Sequence, residues 1–260
     1  MIRSLGYKTD LFFRGFEGEI LERDEYTVIR TPKNPTYRWG NFLLFKRAPI
    51  PSDLEPWQAA FRLEHGAAPH IALGWDDPEK GDISAFTAAG FDFDQSIVMT
   101  ATSVHQPPKI NPDCQIRPLE GSDWLEWIDL ECAVNDALPE SEREGAGYRV
   151  FVERKGAEVQ RMSAAGHGHF WGAFLGNRLV ASLGLYFWQG VGRFQWVATH
   201  PEYRRRGLCG TLVHHVAKLG LEQVQTLVMV ADPEYVAAGI YESVGFKQSE
   251  KQFQLEKVSV

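Results

Sequence analysis

The chain has 260 residues, of which 44% are hydrophobic, and carries a formal net charge of -7 with a pI near 5.6. That balance argues against general nucleic-acid binding, and no apolar run approaches the length that spans a bilayer. The first residues lack the apolar core of a secretory signal, so we expect a cytoplasmic protein without a membrane partner. Three cysteines, Cys114, Cys132 and Cys209, form no metal-ligand spacing. Their odd number predicts reduced thiols, and we expect no bound metal.

The first hundred residues predict short strands alternating with helices. Residues 1–25 carry mixed charge and aromatic side chains and give no predicted element. Strands are predicted at 26–29, 41–45, 70–75 and 95–102, where apolar or β-branched residues cluster between Pro and Gly turns. A helix is predicted from Ser52, with Leu54, Trp57, Phe61 and Leu63 on one side, and a shorter one ends near Ala88.

A proline-rich segment then separates this half from the rest. Residues 105–113 contain Pro107, Pro108 and Pro112 and few apolar side chains, which is typical of a linker. The sequence therefore predicts two domains, residues 1–108 and residues 109–260. The fold class is mixed α+β.

The second half predicts one strand, two helices and three antiparallel strands. The first strand covers 115–119, and a helix follows Gly121, rich in tryptophan and leucine. A second helical stretch lies between 141 and 162, interrupted by Gly145 and Gly147. Two strands, 169–175 and 179–187, form a hairpin through the turn at 176–178, and a third strand covers 193–199.

An unusual turn follows that third strand. Arg204, Arg205 and Arg206 lead through Gly207 into a helix whose apolar face is formed by residues three and four apart, Leu208, Leu212, Val216 and Leu219. The first amides of a helix have no intrahelical acceptor, and they lie at the positive end of the helix dipole. A phosphate or pyrophosphate would fit at this turn.

This region resembles the acyl-CoA signature of the GNAT superfamily of N-acetyltransferases. In that signature, Arg/Gln-x-x-Gly-x-Gly/Ala follows a strand and a proline, and Arg204 and Gly207 match its first and fourth positions. Cys209 departs at the sixth position, where Gly or Ala is usual. Downstream, Ile240-Tyr241-Glu-Ser-Val-Gly245-Phe246 looks like the family's Leu-Tyr-x-x-x-Gly-Phe ending.

Part of the same pattern recurs in the first half. Phe86-Thr-Ala-Ala-Gly90-Phe91 lines up with Tyr241-Glu-Ser-Val-Gly245-Phe246, and the order of elements before each segment is similar. The first half has no counterpart of the arginine turn, and Phe86 stands where Tyr241 has a hydroxyl. We therefore interpret residues 1–108 as a reduced, non-catalytic GNAT-like domain packed on a complete one. A coincidental Gly-Phe in an unrelated α+β domain is the alternative.

The resemblance implies transfer of an acetyl group from acetyl-CoA directly to an amine of a small molecule or peptide. It implies that the cofactor binds to two groups of residues and to Tyr241: Val197, Ala198 and Thr199, and then Arg204, Arg205, Arg206, Gly207, Leu208, Cys209, Gly210 and Thr211. The N–H near Val197 would polarise the thioester carbonyl, and Tyr241 would protonate the departing thiolate.

The sequence indicates less clearly which residue acts as the base that takes a proton from the acceptor amine. Arg193 stands on a strand position where some family members carry glutamate, and Gln195 follows two residues later. The substitutes are Glu131, Asp136 and His169, of which Glu131 is our choice. The missing strand carboxylate leaves open a CoA-binding sensor without turnover, and a longer acyl or aminoacyl donor is a third reading. A monomer and a homodimer both remain open.

Overall fold

The computed structural model describes residues 2–35, 37–66, 68–145, 147–234 and 236–258. The α-helices of these ranges are α1 (Leu5–Glu17), α2 (Leu54–His65), α3 (Ser84–Ala88), α4 (Asp123–Asp136), α5 (Tyr148–Ala164), α6 (Leu208–Leu221) and α7 (Val236–Val244). The strands are β1 (Glu19–Glu22), β2 (Tyr26–Arg30), β3 (Phe42–Phe45), β4 (His70–Trp75), β5 (Asp92–Ala101), β6 (Gln115–Pro118), β7 (Gly168–Leu175), β8 (Arg178–Trp188), β9 (Val191–Thr199), β10 (Thr226–Ala231) and β11 (Lys247–Val258). Within these ranges, none of the helices combines the length and apolarity that a membrane crossing requires.

The chain divides into two compact units whose bounds differ from the predicted domains. The first unit contains residues 1–98 together with 249–260, and the second contains 99–248. The proline-rich segment therefore lies inside the second unit rather than between two domains. The C-terminal strand lies in the first unit, which no local sequence pattern indicates.

The first unit is built on the strand order β1-β2-β3-β4-β11. β3 and β4 are parallel, with α2 as the connection between them, and β4 pairs antiparallel with β11 from His70↔Val258 to Trp75↔Phe253. Its core is strongly aromatic: the rings of Phe45 and Trp57 stack with centroids 3.7 Å apart. Tyr7 on α1 is 1% exposed and donates its hydroxyl to the Phe253 carbonyl over 2.7 Å.

The second unit has the strand order β10-β9-β8-β7-β6, with antiparallel pairs except for the parallel pair β9 and β10. Helices cover both faces of this sheet. Phe170 contacts Trp124 and Trp127 of α4, whereas the next residue, Trp171, contacts His215 of α6. Because adjacent residues of a strand point to opposite faces, α4 and α6 lie on opposite sides.

The two units share a helix ending that the sequence repeat predicts. Phe91 N donates to Phe86 O over 3.0 Å, and Phe246 N donates to Tyr241 O over 3.1 Å. Gly90 and Gly245 adopt φ angles of +81° and +121°, which a residue with a Cβ adopts at a cost. Each ending follows the second strand of a parallel pair, β4 or β10, and this common geometry supports the internal repeat.

Candidate functional site

β9 and β10 separate from one another along their length, which opens a gap in the sheet. Their paired residues run from Val191↔Thr226 to Arg193↔Val228, although β9 continues to Thr199 and β10 to Ala231. On its other side, β9 carries a bulge, since Gly184 opposes Gln195 and Ser182 opposes Ala198, leaving Trp196 and Val197 opposite the single residue Leu183. Bulges commonly redirect a side chain or end pairing beside a site.

The arginine turn has the geometry of an anion site. Arg205 and Gly207 adopt φ angles of +62° and +78°, and α6 begins at Leu208. Within the described chain, the amides of residues 205–210 donate to no acceptor, whereas the next amide, that of Thr211, donates to Gly207 O over 3.0 Å. Unpaired amides at a helix N-terminus, next to the positive end of its dipole, favour an anionic ligand.

The arginines of the turn are not neutralised. Arg204 Nε reaches Thr199 O over 3.4 Å, and the Arg206 guanidinium lies 4.9 Å from the centre of the Tyr203 ring. Arg205 and Arg206 are exposed. None of the three arginines forms an ion pair with a carboxylate of the described residues, so their charge is available to a ligand.

The proline-rich segment lies against the arginine turn, and we call residues 105–111 the strap. Asn111 N donates to Thr211 Oγ1 over 2.8 Å, Asn111 Nδ2 donates to Arg206 O over 3.1 Å, and the Lys109 ammonium donates to Arg205 O. A Cβ at Gly207 would lie 3.0 Å from Lys109 O, so the glycine is required by the strap as well as by its positive φ. The strap contacts the glycine while leaving the unpaired amides without an acceptor.

The predicted tyrosine acid lies on α7. Tyr241 is 4% exposed, and its ring contacts Phe246 at a centroid distance of 6.4 Å. Phe246 in turn contacts Phe194 of β9 at 5.8 Å, which fixes the end of α7 against the strand that opens the gap. α7 also packs on α6, where Ile240 lies next to Gly210. The structure therefore brings the region of Tyr241 to the same strand and helix as the arginine turn.

Glu131, the predicted base, is a buried carboxyl on α4. It is 5% exposed, and its Oε1 has no hydrogen-bond partner among the described residues. Burial raises the pKa of Glu131 from 4.5 to about 8, because the charged form loses its hydration. Near its start, α4 is held to the sheet by Glu126, which accepts a hydrogen bond from Leu179 N of β8 over 2.8 Å.

The other base candidates do not share this environment. Asp136, at the end of α4, and His169, on β7, are exposed. His169 is next to Phe170 in β7 and therefore points to the α6 face, away from α4. Arg193 is 6% exposed and donates to Phe194 O over 3.1 Å, so it fills the strand position with a buried cation rather than a base.

Cys209 and the histidines offer no further chemistry in this turn. Burial raises the pKa of the Cys209 thiol to about 12, so it stays protonated and unreactive at neutral pH. Among the described residues, no three His, Cys, Asp or Glu side chains are grouped as metal ligands.

The sequence did not indicate the aromatic surroundings of Glu131. The ring of Trp127, one helical turn before Glu131, lies 5.7 Å from that of Trp196 in the bulge, and Trp196 lies 5.8 Å from Phe151 of α5. The spacing of Trp127 and Glu131, four residues apart on a helix, is a signal for a shared face. No local pattern, however, predicts that Trp196 and Phe151 meet them.

Comparison with known proteins shows a family similarity for part of the chain and a fold similarity for most of it. Residues 129–246 match the model of the acetyltransferase (GNAT) family. A conserved protein of unknown function from Staphylococcus epidermidis has 13% identity, with 94% of this chain and 96% of that chain covered and a TM-score of 0.76. A GCN5-related N-acetyltransferase from Kribbella flavida has 11% identity, with 98% and 96% covered and a TM-score of 0.62. One from Sphaerobacter thermophilus has 15% identity, with 91% and 82% covered and a TM-score of 0.57. At these identities the likeness establishes the fold, and no curated protein matches the sequence.

Proposed function

We propose, from the match of residues 129–246 to the GNAT acetyltransferase family model, that the chain moves an acetyl group from acetyl-CoA to a primary amine. The observation that carries this proposal is the row of unpaired amides at residues 205–210, next to three arginines without carboxylate partners. A diphosphate supplies the anionic oxygens that such a turn can bind. The gap between β9 and β10 opens after Arg193, and the arginine turn follows the end of β9, which suits an extended cofactor.

The cofactor would be held by the residues that the sequence singles out. The amides of residues 205–210 and the guanidinium groups of Arg204, Arg205 and Arg206 would bind the diphosphate. Two of these arginines also stabilise the turn. Arg204 donates to Thr199 O, and Arg206 lies over the Tyr203 ring. Val197, Ala198 and Thr199 form the end of β9 beside the gap, and Thr211 closes the first turn of α6.

Acetyl-CoA supplies a thioester carbonyl that an amine can attack. Val197 lies in the bulge, where its N–H would donate to the carbonyl oxygen as negative charge develops on it. Removing one such donor typically costs 10²- to 10³-fold in turnover. The bulge therefore has a chemical role as well as a structural one.

Tyr241 and Glu131 would handle the two protons. A phenol is protonated at neutral pH and a little less acidic than a thiol, so Tyr241 would donate its proton to the departing sulfur. Burial raises the pKa of Glu131 to about 8, so the fraction in the carboxylate form, which would accept the proton, increases as the pH rises towards 8. The acceptor nitrogen is nucleophilic only after it loses that proton.

The alternative is a CoA-binding module without turnover. Arg193 at the strand position where some family members carry glutamate favours it, because that position has no base. Calorimetric titration with acetyl-CoA, followed by thiol-release assays with a panel of amines, separates the two functions. Binding without thiol release for any amine would favour the sensor.

The cofactor site is tested by removing charge from the turn. In the double variant Arg205→Met/Arg206→Met we expect the Kd for acetyl-CoA to rise by at least tenfold, because each lost charge-assisted hydrogen bond is worth about 1.5 kcal/mol or more. Arg154→Met removes one exposed arginine from α5 and is the control, with an unchanged Kd. An unchanged Kd in the double variant would move the diphosphate to another place.

A further inference from the structure

Glu131 and four aromatic side chains form a group that we call the aromatic chamber. Its members come from α4, α5 and the bulge of β9, and they are Trp127, Glu131, Tyr148, Phe151 and Trp196. Trp127 contacts Trp196, Trp196 contacts Phe151, and Phe151 contacts Tyr148 with centroids 5.9 Å apart. Trp127 and Glu131 are buried, whereas Tyr148, Phe151 and Trp196 are partly exposed. The chamber thus combines two shielded side chains, which we call its base, with three aromatic side chains that solvent reaches, which we call its wall.

Two polar atoms at the base of the chamber have no protein partner. Trp127 Nε1 and Glu131 Oε1 are both fully shielded, and neither makes a hydrogen bond within the described residues. Leaving a buried donor or acceptor unpaired costs about 1–3 kcal/mol each. Trp127 and Glu131 are four residues apart on α4 and so share one face of the helix. One indole N–H and one carboxyl oxygen on one face, both unpaired, indicate a site for a small polar group brought by a ligand.

The backbone beneath the chamber is strained. Trp196 has a φ of +53°, a conformation that is unfavourable for a bulky residue. It precedes Val197 in the bulge, next to the gap between β9 and β10. Strain of about 1–3 kcal/mol persists only where surrounding contacts enforce it, and such residues cluster at ligand sites. The bulge therefore joins the aromatic wall directly to the proposed position of the thioester.

The charges near the chamber limit what it can accept. Apart from Glu131, the ionisable groups that influence Tyr148 are Cys132 and Glu144. Arg149 is engaged on the surface by Asp129 and Glu153, over 3.0 Å and 3.3 Å. Glu131 is the buried carboxyl of the chamber, whereas Glu144 is exposed. A second ammonium group held among these rings would lose its hydration without a second buried carboxylate as a partner.

We propose that the acceptor is a monoamine whose primary amino group is carried on an aromatic body. This inference rests on the proposed function. The amino group lies at Glu131 and the ring stacks among Trp196, Phe151 and Tyr148. In the reaction the thioester C–S bond breaks and a C–N bond forms. The acceptor ammonium loses two protons: one passes through Glu131 to solvent, and the sulfur gains one from Tyr241, which recovers it from the acceptor.

The test compares 2-phenylethylamine, n-butylamine and putrescine as acceptors at saturating acetyl-CoA. Burying a phenyl ring favours the aromatic amine, and we expect kcat/KM for 2-phenylethylamine to exceed that for n-butylamine by about 100-fold. Putrescine is expected to be no better than n-butylamine. Equal values for 2-phenylethylamine and either aliphatic amine would overturn the inference.

Substitutions of Phe151 and Trp196 test whether the preference for 2-phenylethylamine arises in the aromatic chamber. Phe151→Leu and Trp196→Leu are expected to reduce the ratio of kcat/KM for 2-phenylethylamine to kcat/KM for n-butylamine to within tenfold. Trp196→Phe retains a ring and most of the preference. Phe93→Leu, a partly buried aromatic residue of the first unit, is the control and should keep the full preference.

Failure of this inference can be told from failure of the proposed function. If acetyl-CoA binds and aliphatic amines are acetylated as well as aromatic ones, the acceptor class is wrong and the function stands. If acetyl-CoA does not bind, or no amine releases thiol, both are wrong. A preference that survives in Phe151→Leu and Trp196→Leu would place the aromatic acceptor outside the chamber.

Discussion

At the scale of single residues, two buried tyrosines allow the role of one hydroxyl to be isolated. We expect Tyr241→Phe to lower kcat by about 100-fold, because the thiolate loses its proton donor, while the Kd for acetyl-CoA is unchanged. Tyr186→Phe is the control: this hydroxyl donates to Val159 O over 3.0 Å and its loss should affect stability and not kcat. Unchanged kcat in Tyr241→Phe would remove Tyr241 from the mechanism.

The raised pKa of Glu131 predicts that the free energy of unfolding depends on pH, and this can be measured without a substrate. Below pH 4.5 the carboxyl is protonated in both the folded and unfolded chain and contributes no slope. Between pH 4.5 and about 8, the unfolded chain loses the proton and the folded chain keeps it. Stability therefore falls as pH rises, by up to about 5 kcal/mol in total.

Urea unfolding at pH 5 and pH 8.5 checks this dependence in Glu131→Gln. The variant keeps the shape of the side chain and lacks the titration, so we expect its stability to fall less between the two pH values than that of the wild type. Glu120→Gln changes an exposed carboxyl and should behave like the wild type. The same decrease in all three proteins would contradict a buried, neutral Glu131.

The sequence predicts Tyr241 as the acid and Glu131 as the base, and the two predictions have different grounds. Tyr241 is fixed by its spacing from Gly245 and Phe246, and that spacing is part of a local helix ending. Glu131 is one of several carboxyls near the end of a helix, and only the fold distinguishes it from exposed Asp136. The unpaired state of Trp127 Nε1 depends on residues far apart in sequence and could not be predicted.

At the scale of elements, the strap and the arginine turn depend on one glycine. Gly207→Ala places a methyl group 3.0 Å from Lys109 O at a φ of +78°. We expect a loss of about 1–2 kcal/mol in unfolding free energy. Gly239→Ala is the matched control, because α7 has open space at that position, and it should be neutral or slightly stabilising. Differential scanning calorimetry of both variants makes the comparison, and equal stabilities would mean that the strap does not press on Gly207.

Elements with regular apolar spacing were predicted well, and elements without it were not. α6 and β4 were predicted from such patterns, β4 with the bounds that the structure has. α1 was missed because its buried face includes Gly6, Thr9 and Arg14, which form no apolar stripe. Leu63 was placed on the buried side of α2 but is 80% exposed, since two residues along a helix correspond to a rotation of about 200° from Phe61.

At the scale of the whole molecule, the pairing of β11 with β4 sets the stability of the first unit. Leu255 of β11 is fully buried in the core of that unit. We expect Leu255→Ala to cost about 2–5 kcal/mol and to speed hydrogen exchange of the β3 and β4 amides. Lys251→Ala changes an exposed residue of the same strand and should leave that exchange unchanged. Unaffected exchange in Leu255→Ala would show that β11 is not part of this core.

The late position of β11 in the sequence affects how the first unit forms during translation. Ribosomes deliver the amino terminus first, so β1 to β4 emerge long before residues 253–258, which complete the edge of β4. Throughout translation of the second unit, the open edge of β4 is able to pair with a neighbouring nascent chain. We expect this edge to stay open until residues 253–258 have been made, and early stop codons in the second half to expose the same edge.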